Sequence, residues 1–301
     1  MFGGLRSPSW SVEGRDWPNR AFSRFVRSGG LLWHLQEMGE GPRVLFVHGT
    51  GAATHSFRDL APLLAASGFR VLALDLPGHG FTQHPASGDG LSLPGMARLV
   101  RGVLAEAGFE PQVAVGHSAG AAVLVAMALD GSIRPETVVA LNGALLPIRG
   151  AALFSPLAKL LFLNPLAPRL FALRAISRDA TRRLLESTGS AVDARGVELY
   201  ARLFRSSGHV AATLGMMANW DLDPIERRLP ALAMPLVLVA AADDRAIPPA
   251  DARTVAARMP NARVVPIRRG GHLVHESEPA EIAALIRRAA AEAGVVPAGP
   301  G

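Results

Sequence analysis

Gly116-His117-Ser118-Ala119-Gly120 combines a hydroxyl with two glycines in the pattern G-x-S-x-G. A turn from strand to helix around such a serine is so tight that the positions two before and two after it must be nearly free of side chain, and the turn lifts the hydroxyl clear of the sheet. A serine hydroxyl is a weak nucleophile until a base removes its proton. Of the nine histidines, His272 is the candidate, because Gly270-Gly271-His272 follows the last predicted strand and returns to the sheet edge where Ser118 lies. His275 reads as solvent-facing, His117 as packed beside the strand, and His48 as a hydrogen-bonding group of its own turn. His34, His55, His79, His84 and His209 read as structural or surface residues. A histidine base needs an acid to hold its tautomer, and Asp243 and Asp244 both follow the strand ending at Ala242. An oxyanion would require two backbone N–H groups. Ala119 supplies one at a predicted helix start, and the loop His48-Gly49-Thr50-Gly51 the other, through Thr50 or alternatively Gly51.

The elements that would position these groups follow from apolar periodicity. Residues 22–27 and 31–38, joined by Ser28-Gly29-Gly30, predict a hairpin. Apolar runs at 43–49, 70–76, 112–116, 137–141, 236–242 and 263–267 predict buried strands. Helices are predicted over 57–66 with Thr54 or Ser56 as cap, 94–107 after Ser92, 119–129, 250–258 and 279–293. Alternating strands and helices imply an α/β fold with a mostly parallel sheet covered on both faces. The alternation stops between 146 and 230, where only helical stretches such as 157–163 and 180–186 are legible. That segment reads as a helical cap inserted between two strands over the carboxyl edge. The expected organisation is a core of residues 1–145 and 231–294, a cap of 146–230, and a flexible tail of 295–301.

Composition removes several chemistries. The chain has 301 residues and no cysteine, so a thiol nucleophile, a disulfide framework and a zinc-thiolate or iron-sulfur site are excluded. No metal or cofactor is called for by the motifs. The net charge of +6 is spread along the chain, which argues against a nucleic-acid partner. Lys159 is the sole lysine and lies outside any G-x-x-x-x-G-K-[ST] loop, so a nucleotide-driven role through such a loop is excluded. The first residues lack the apolar run of a signal peptide, and no apolar stretch reaches spanning length; the expected location is cytoplasmic.

The motifs HGTG, DLPGHG, GHSAG, DDRAIP and GGH stand in the order and spacing of the α/β-hydrolase superfamily, and the resemblance covers residues 22–293. It implies the chain order Ser118, Asp244, His272, with Asp244 favoured over Asp243 by its D-x-x-I-P spacing. Residues 49–56, 141–147, 154–160 and 215–222 together resemble a narrower family, the BchO-type magnesium-chelatase accessory proteins of bacteriochlorophyll biosynthesis. That resemblance implies association with the insertion of magnesium into protoporphyrin IX, with magnesium-chelatase subunits as partners. The expected activity is cleavage of an ester or related acyl bond in a bulky apolar substrate such as a tetrapyrrole, and the alternative is a non-catalytic porphyrin-binding accessory protein. Cationic residues outnumber acidic ones by five between 146 and 230. Arg169 and Arg174 are the candidates to pair with propionate arms, and the same basic, apolar cap would suit peripheral contact with a membrane.

Overall fold

The computed structural model describes residues 5–147 and 177–297. An antiparallel pair, β1 (Ser23–Ser28) and β2 (Leu31–Met38), opens the chain as the hairpin expected from Gly29 and Gly30. The parallel strands β3 (Arg43–Val47), β4 (Arg70–Leu74), β5 (Val113–His117), β6 (Thr137–Leu141), β7 (Leu236–Ala241) and β8 (Ala262–Ile267) complete one sheet of eight, in the order β1-β2-β4-β3-β5-β6-β7-β8.

Side chains alternate across this sheet with period two. Leu45, Val47, Leu72 and Leu74 join one apolar layer with α2 (Leu93–Glu106) and α3 (Ala119–Leu129). Val44, Phe46, Val71 and Ala73 join the other with α1 (Leu60–Ala65) and a later helix that ends the chain's core. Each fully buried Val, Leu or Phe contributes about 1.5–3 kcal/mol, so the layers hold the strand ends in fixed register. In α3 every residue from Ala119 to Met127 is buried, which explains its small, uniformly apolar sequence.

Ser92 caps α2, accepting from Gly95 N at 3.2 Å as the sequence predicted. The helix expected over 57–66 is instead split into a 3-10 turn at Thr54–Phe57 and the short α1. Neither Thr54 nor Ser56 caps it, because both side chains are engaged elsewhere: Thr54 Oγ1 accepts from Trp17 Nε1 at 3.1 Å, and Ser56 bonds His275 and Glu276.

Between β6 and β7 the described residues form helices joined by loops: α4 (Arg178–Ser187), α5 (Ala194–Phe204), α6 (Ser207–Ala218) and α7 (Asp223–Arg228). The stretch expected over 157–163 lies outside the described residues. The core closes with α8 (Pro249–Ala256), α9 (Val274–Ser277) and α10 (Pro279–Glu292). Val295, expected to open the tail, is instead buried, and its N–H donates to Ala290 O at 2.8 Å. Among the described residues no helix is long and apolar enough to cross a membrane.

Candidate active site

Ser118 lies between the last residue of β5 and the first of α3 with φ 50° and ψ −119°, a strained conformation for a residue bearing a Cβ. The flanking glycines are required by contact. A Cβ at Gly116 would lie 2.5 Å from Ala121 N, and one at Gly120 would lie 2.2 Å from Val47 O. The turn is pinned by Ser118 N donating to Leu141 O at 3.0 Å and Ala121 N to Ser118 O at 3.1 Å. Although Ser118 occupies the cap position of α3, its hydroxyl accepts no capping hydrogen bond. It stays available at a helix N-terminus, where partial positive charge favours a developing anion.

Asp244 and His272 meet at the same edge. His272 Nδ1 lies 2.9 Å from Asp244 Oδ2, while Asp244 Oδ1 accepts from Ala246 N at 2.8 Å and Ile247 N at 2.9 Å. The carboxylate is thus aimed by its own loop. Asp243 points elsewhere, accepting from Gly271 N at 2.8 Å and Gly270 N at 3.2 Å. No Ser118–His272 hydrogen bond is formed among the described residues. Such contacts commonly tighten only once substrate is bound.

The loop carrying His272 is held from three sides. Its carbonyl accepts from Asn142 Nδ2 at 2.9 Å and from His117 Nε2 at 3.0 Å, and its N–H donates to Thr188 O at 3.3 Å. Thr188 O also receives Arg245 N at 3.1 Å, and Ser190 Oγ receives Leu273 N at 2.9 Å. The segment after α4 is therefore wedged between the loop that carries Asp244 and the loop that carries His272. Neither Asn142 nor Thr188–Ser190 was read as functional from sequence. A polar residue directly after a buried strand was the available signal for Asn142, whereas nothing local marks Thr188.

The loop after β3 packs against the elbow: a Cβ at Gly49 would lie 2.9 Å from both Ser118 Cβ and His117 Nδ1. Ala119, at the first position of α3, has an N–H without an intrahelical partner. His48 behaves as expected of a turn residue, with Nδ1 against Gly49 O at 2.8 Å and Nε2 accepting Leu76 N at 2.9 Å. Helix α6 contacts this loop. His209 Nε2 donates to Gly51 O at 3.0 Å, and Thr50 Oγ1 donates to Met216 Sδ at 3.4 Å. Arg169 and Arg174 lie outside the described residues.

His275 is a correction. Expected at the surface, it is fully buried, with Nε2 2.7 Å from Ser56 Oγ, which in turn donates to Glu276 Oε1 at 2.7 Å. Tyr200 OH donates to the same oxygen at 2.7 Å, and Arg58 pairs with Oε2. Burial, reinforced by His272 and Arg58, pushes His275 down to about 3. A neutral ring with its proton on Nε2 suits the Ser56 acceptor and leaves Nδ1 bare. His117 is likewise held well below the usual histidine range, by burial first and then by His275 and His272, so the proton it gives to the His272 carbonyl is that of a neutral ring. Burial raises Glu276 against the opposing pull of Arg58. The burial of His275 was illegible because its partners Ser56, Phe57 and His117 lie more than 150 positions away in the chain.

Residues 42–279 match the alpha/beta hydrolase fold. The chain belongs to that family. Over 265 residues it is 36% identical to the magnesium-chelatase 30 kDa subunit of Rhodobacter capsulatus, covering 87% of this chain and 92% of that protein. A shorter match, 35% identical over 118 residues, relates 39% of the chain to 21% of the bifunctional epoxide hydrolase 2 of Sus scrofa. An alpha/beta hydrolase fold protein from Burkholderia ambifaria superposes with a TM-score of 0.74 at 22% identity, over 88% of this chain and 97% of that one. The eight-stranded order described above is thus an α/β-hydrolase sheet, and the similarity to the chelatase subunit covers most of the chain.

Proposed function

We propose that this α/β-hydrolase-fold chain is a serine hydrolase with Ser118 as nucleophile, His272 as general base and Asp244 as the orienting acid. The observation that carries the reading is the His272 Nδ1 to Asp244 Oδ2 contact of 2.9 Å at the sheet edge where the Ser118 elbow stands. Ser118 Oγ attacks an acyl carbonyl while its proton passes to His272 Nε2. The carbonyl oxygen takes up the electron pair and is held by the N–H groups of Ala119 and Thr50, with Gly51 the alternative to Thr50. Collapse of the intermediate expels the alcohol, which receives the proton from His272. Water then repeats the sequence on the acyl-serine and releases the acid. In this reading residues 146–230 form a cap over a core of residues 1–145 and 231–294.

The substrate class is drawn from the similarity to a magnesium-chelatase subunit. A tetrapyrrole at the magnesium-protoporphyrin IX step, bearing an ester or related acyl group, fits an apolar cap whose Arg169 and Arg174 take its carboxylates. Magnesium-chelatase subunits are the corresponding partners, a cytoplasmic setting with peripheral membrane contact the corresponding location, and no cofactor is called for. The second reading, a non-catalytic porphyrin-binding accessory protein, is favoured by that relative's name, which describes a chelatase subunit and not a hydrolase. A fluorophosphonate probe with intact-mass readout separates the two. The enzyme reading expects one adduct on the wild type and none on Ser118→Ala; an unlabelled wild type that binds protoporphyrin IX, with binding weakened when Arg169 and Arg174 become Gln, establishes the accessory reading instead.

A further inference from the structure

We propose that Asn142 is the positioning residue of the base loop, its single side-chain amide locking the strand end that leads to Asp244 to the backbone that carries His272. This rests on the triad reading above. Asn142 directly follows β6, is 4% exposed and holds φ 45°, a left-handed conformation that Asn tolerates better than most residues with a Cβ. Its backbone N–H donates to Val239 O at 2.9 Å, anchoring it to β7. Its Oδ1 accepts from Ala241 N at 2.9 Å, three residues before Asp244. Its Nδ2 donates to Gly271 O and to His272 O, each at 2.9 Å.

The partners fix the amide orientation: a flipped side chain would set an oxygen against two carbonyls and a donor against an N–H. Residues 270–272 lie in neither helix nor strand, so their backbone depends on such side-chain contacts. His117 Nε2 supplies a second donor to His272 O, but Gly271 O depends on Asn142. Losing that donor leaves a buried carbonyl unpaired and lets the loop move, and a misplacement of about 1 Å can cost about a hundredfold in rate.

Two variants test the assignment. Asn142→Gly keeps the backbone conformation and removes the amide. Asn142→Asp keeps the acceptor toward Ala241 and loses the donor, except when its carboxyl is protonated. Fluorophosphonate labelling of Ser118 should slow about tenfold to a hundredfold in both. In Asn142→Asp the deficit relative to wild type should shrink as pH falls, because a protonated carboxyl can donate again; a residue that only supports the fold would show no such recovery. Independently of labelling, the His272 Nδ1–H resonance in the proton NMR spectrum should be sharp in the wild type and exchange-broadened in Asn142→Gly. Wild-type labelling rates in both variants, or an unchanged Nδ1–H resonance, would overturn the assignment. A wild type that does not label refutes the hydrolase reading, and the resonance then still decides for or against Asn142.

Discussion

The two adjacent aspartates after β7 divide their work, and the division makes the first prediction. Asp244 faces the ring nitrogen of His272, whereas Asp243 accepts two backbone N–H groups of the loop that carries that ring. Asp244→Asn should lower kcat toward an activated aryl ester by orders of magnitude, because an amide no longer stabilises the protonated ring or its tautomer. Asp243→Asn retains one acceptor oxygen and should cost about tenfold or less, through loop position. Equal losses would reject the assignment. The elbow was legible at this scale because its geometry dictates residue types: only glycine fits at 116 and 120, so the spacing betrays the turn. The groups that fix the loop carrying His272 were not legible. Asn142 and Thr188 are 130 and 84 positions from His272, and their polar groups acquire a role only once the strands are in register.

At the scale of elements, strands were easiest to read, since a strand buried on both faces needs an unbroken apolar run such as Val44 to Val47 or Val113 to Val115. The cap was harder. Helix α6 is mostly buried along Ser207–Met216 and contains two glycines, so it lacks the polar stripe by which an amphipathic helix announces itself. The split near Phe57 was also hidden, because it follows from the claims of distant residues on Thr54 and Ser56. How the segment after α4 meets the candidate site gives the second prediction. Gly189, just beyond α4, has φ 85°, and a Cβ there would lie 2.1 Å from Asp243 O. Gly189→Ala must displace the loop that carries Asp243 and Asp244 or the wedge, and left-handed strain adds about 1–3 kcal/mol. The expected result is a lower urea midpoint together with slower Ser118 labelling. A lower midpoint with unchanged labelling would mean that the wedge supports the neighbouring helices without setting the site.

For the molecule as a whole, the decisive feature is the number of histidines kept neutral inside it. His48, His55, His79, His117, His209 and His275 are all fully or nearly fully buried, and burial is in each case the largest influence lowering the ring's proton affinity. The partners act both ways. Asp75 raises His48, His55 and His209; Arg58 opposes protonation of His55 and His275, and neighbouring rings oppose it in the clusters around His48 and His117. His209 is brought down to about 4 and His275 to about 3, whereas an unfolded histidine titrates near 6.5. Below that unfolded value the unfolded chain binds protons that the folded chain refuses. Stability is therefore complete above about pH 6.5 and is lost as pH falls toward the folded values. One such ring gives a slope of about 1.4 kcal/mol per pH unit, so several titrating together should give a steeper one. Urea unfolding at fixed ionic strength should show a midpoint steady from pH 8 to 7 and falling steeply from 6.5 to 5. His209→Gln can still donate to Gly51 O in place of the ring Nε2, and it should make the fall shallower by removing one titrating group. The fixed ionic strength matters because the chain already carries +6 and gains charge as it acidifies. A midpoint that stays flat down to pH 5 would show that these rings are protonated in the folded protein and that their burial is not what sets its acid limit.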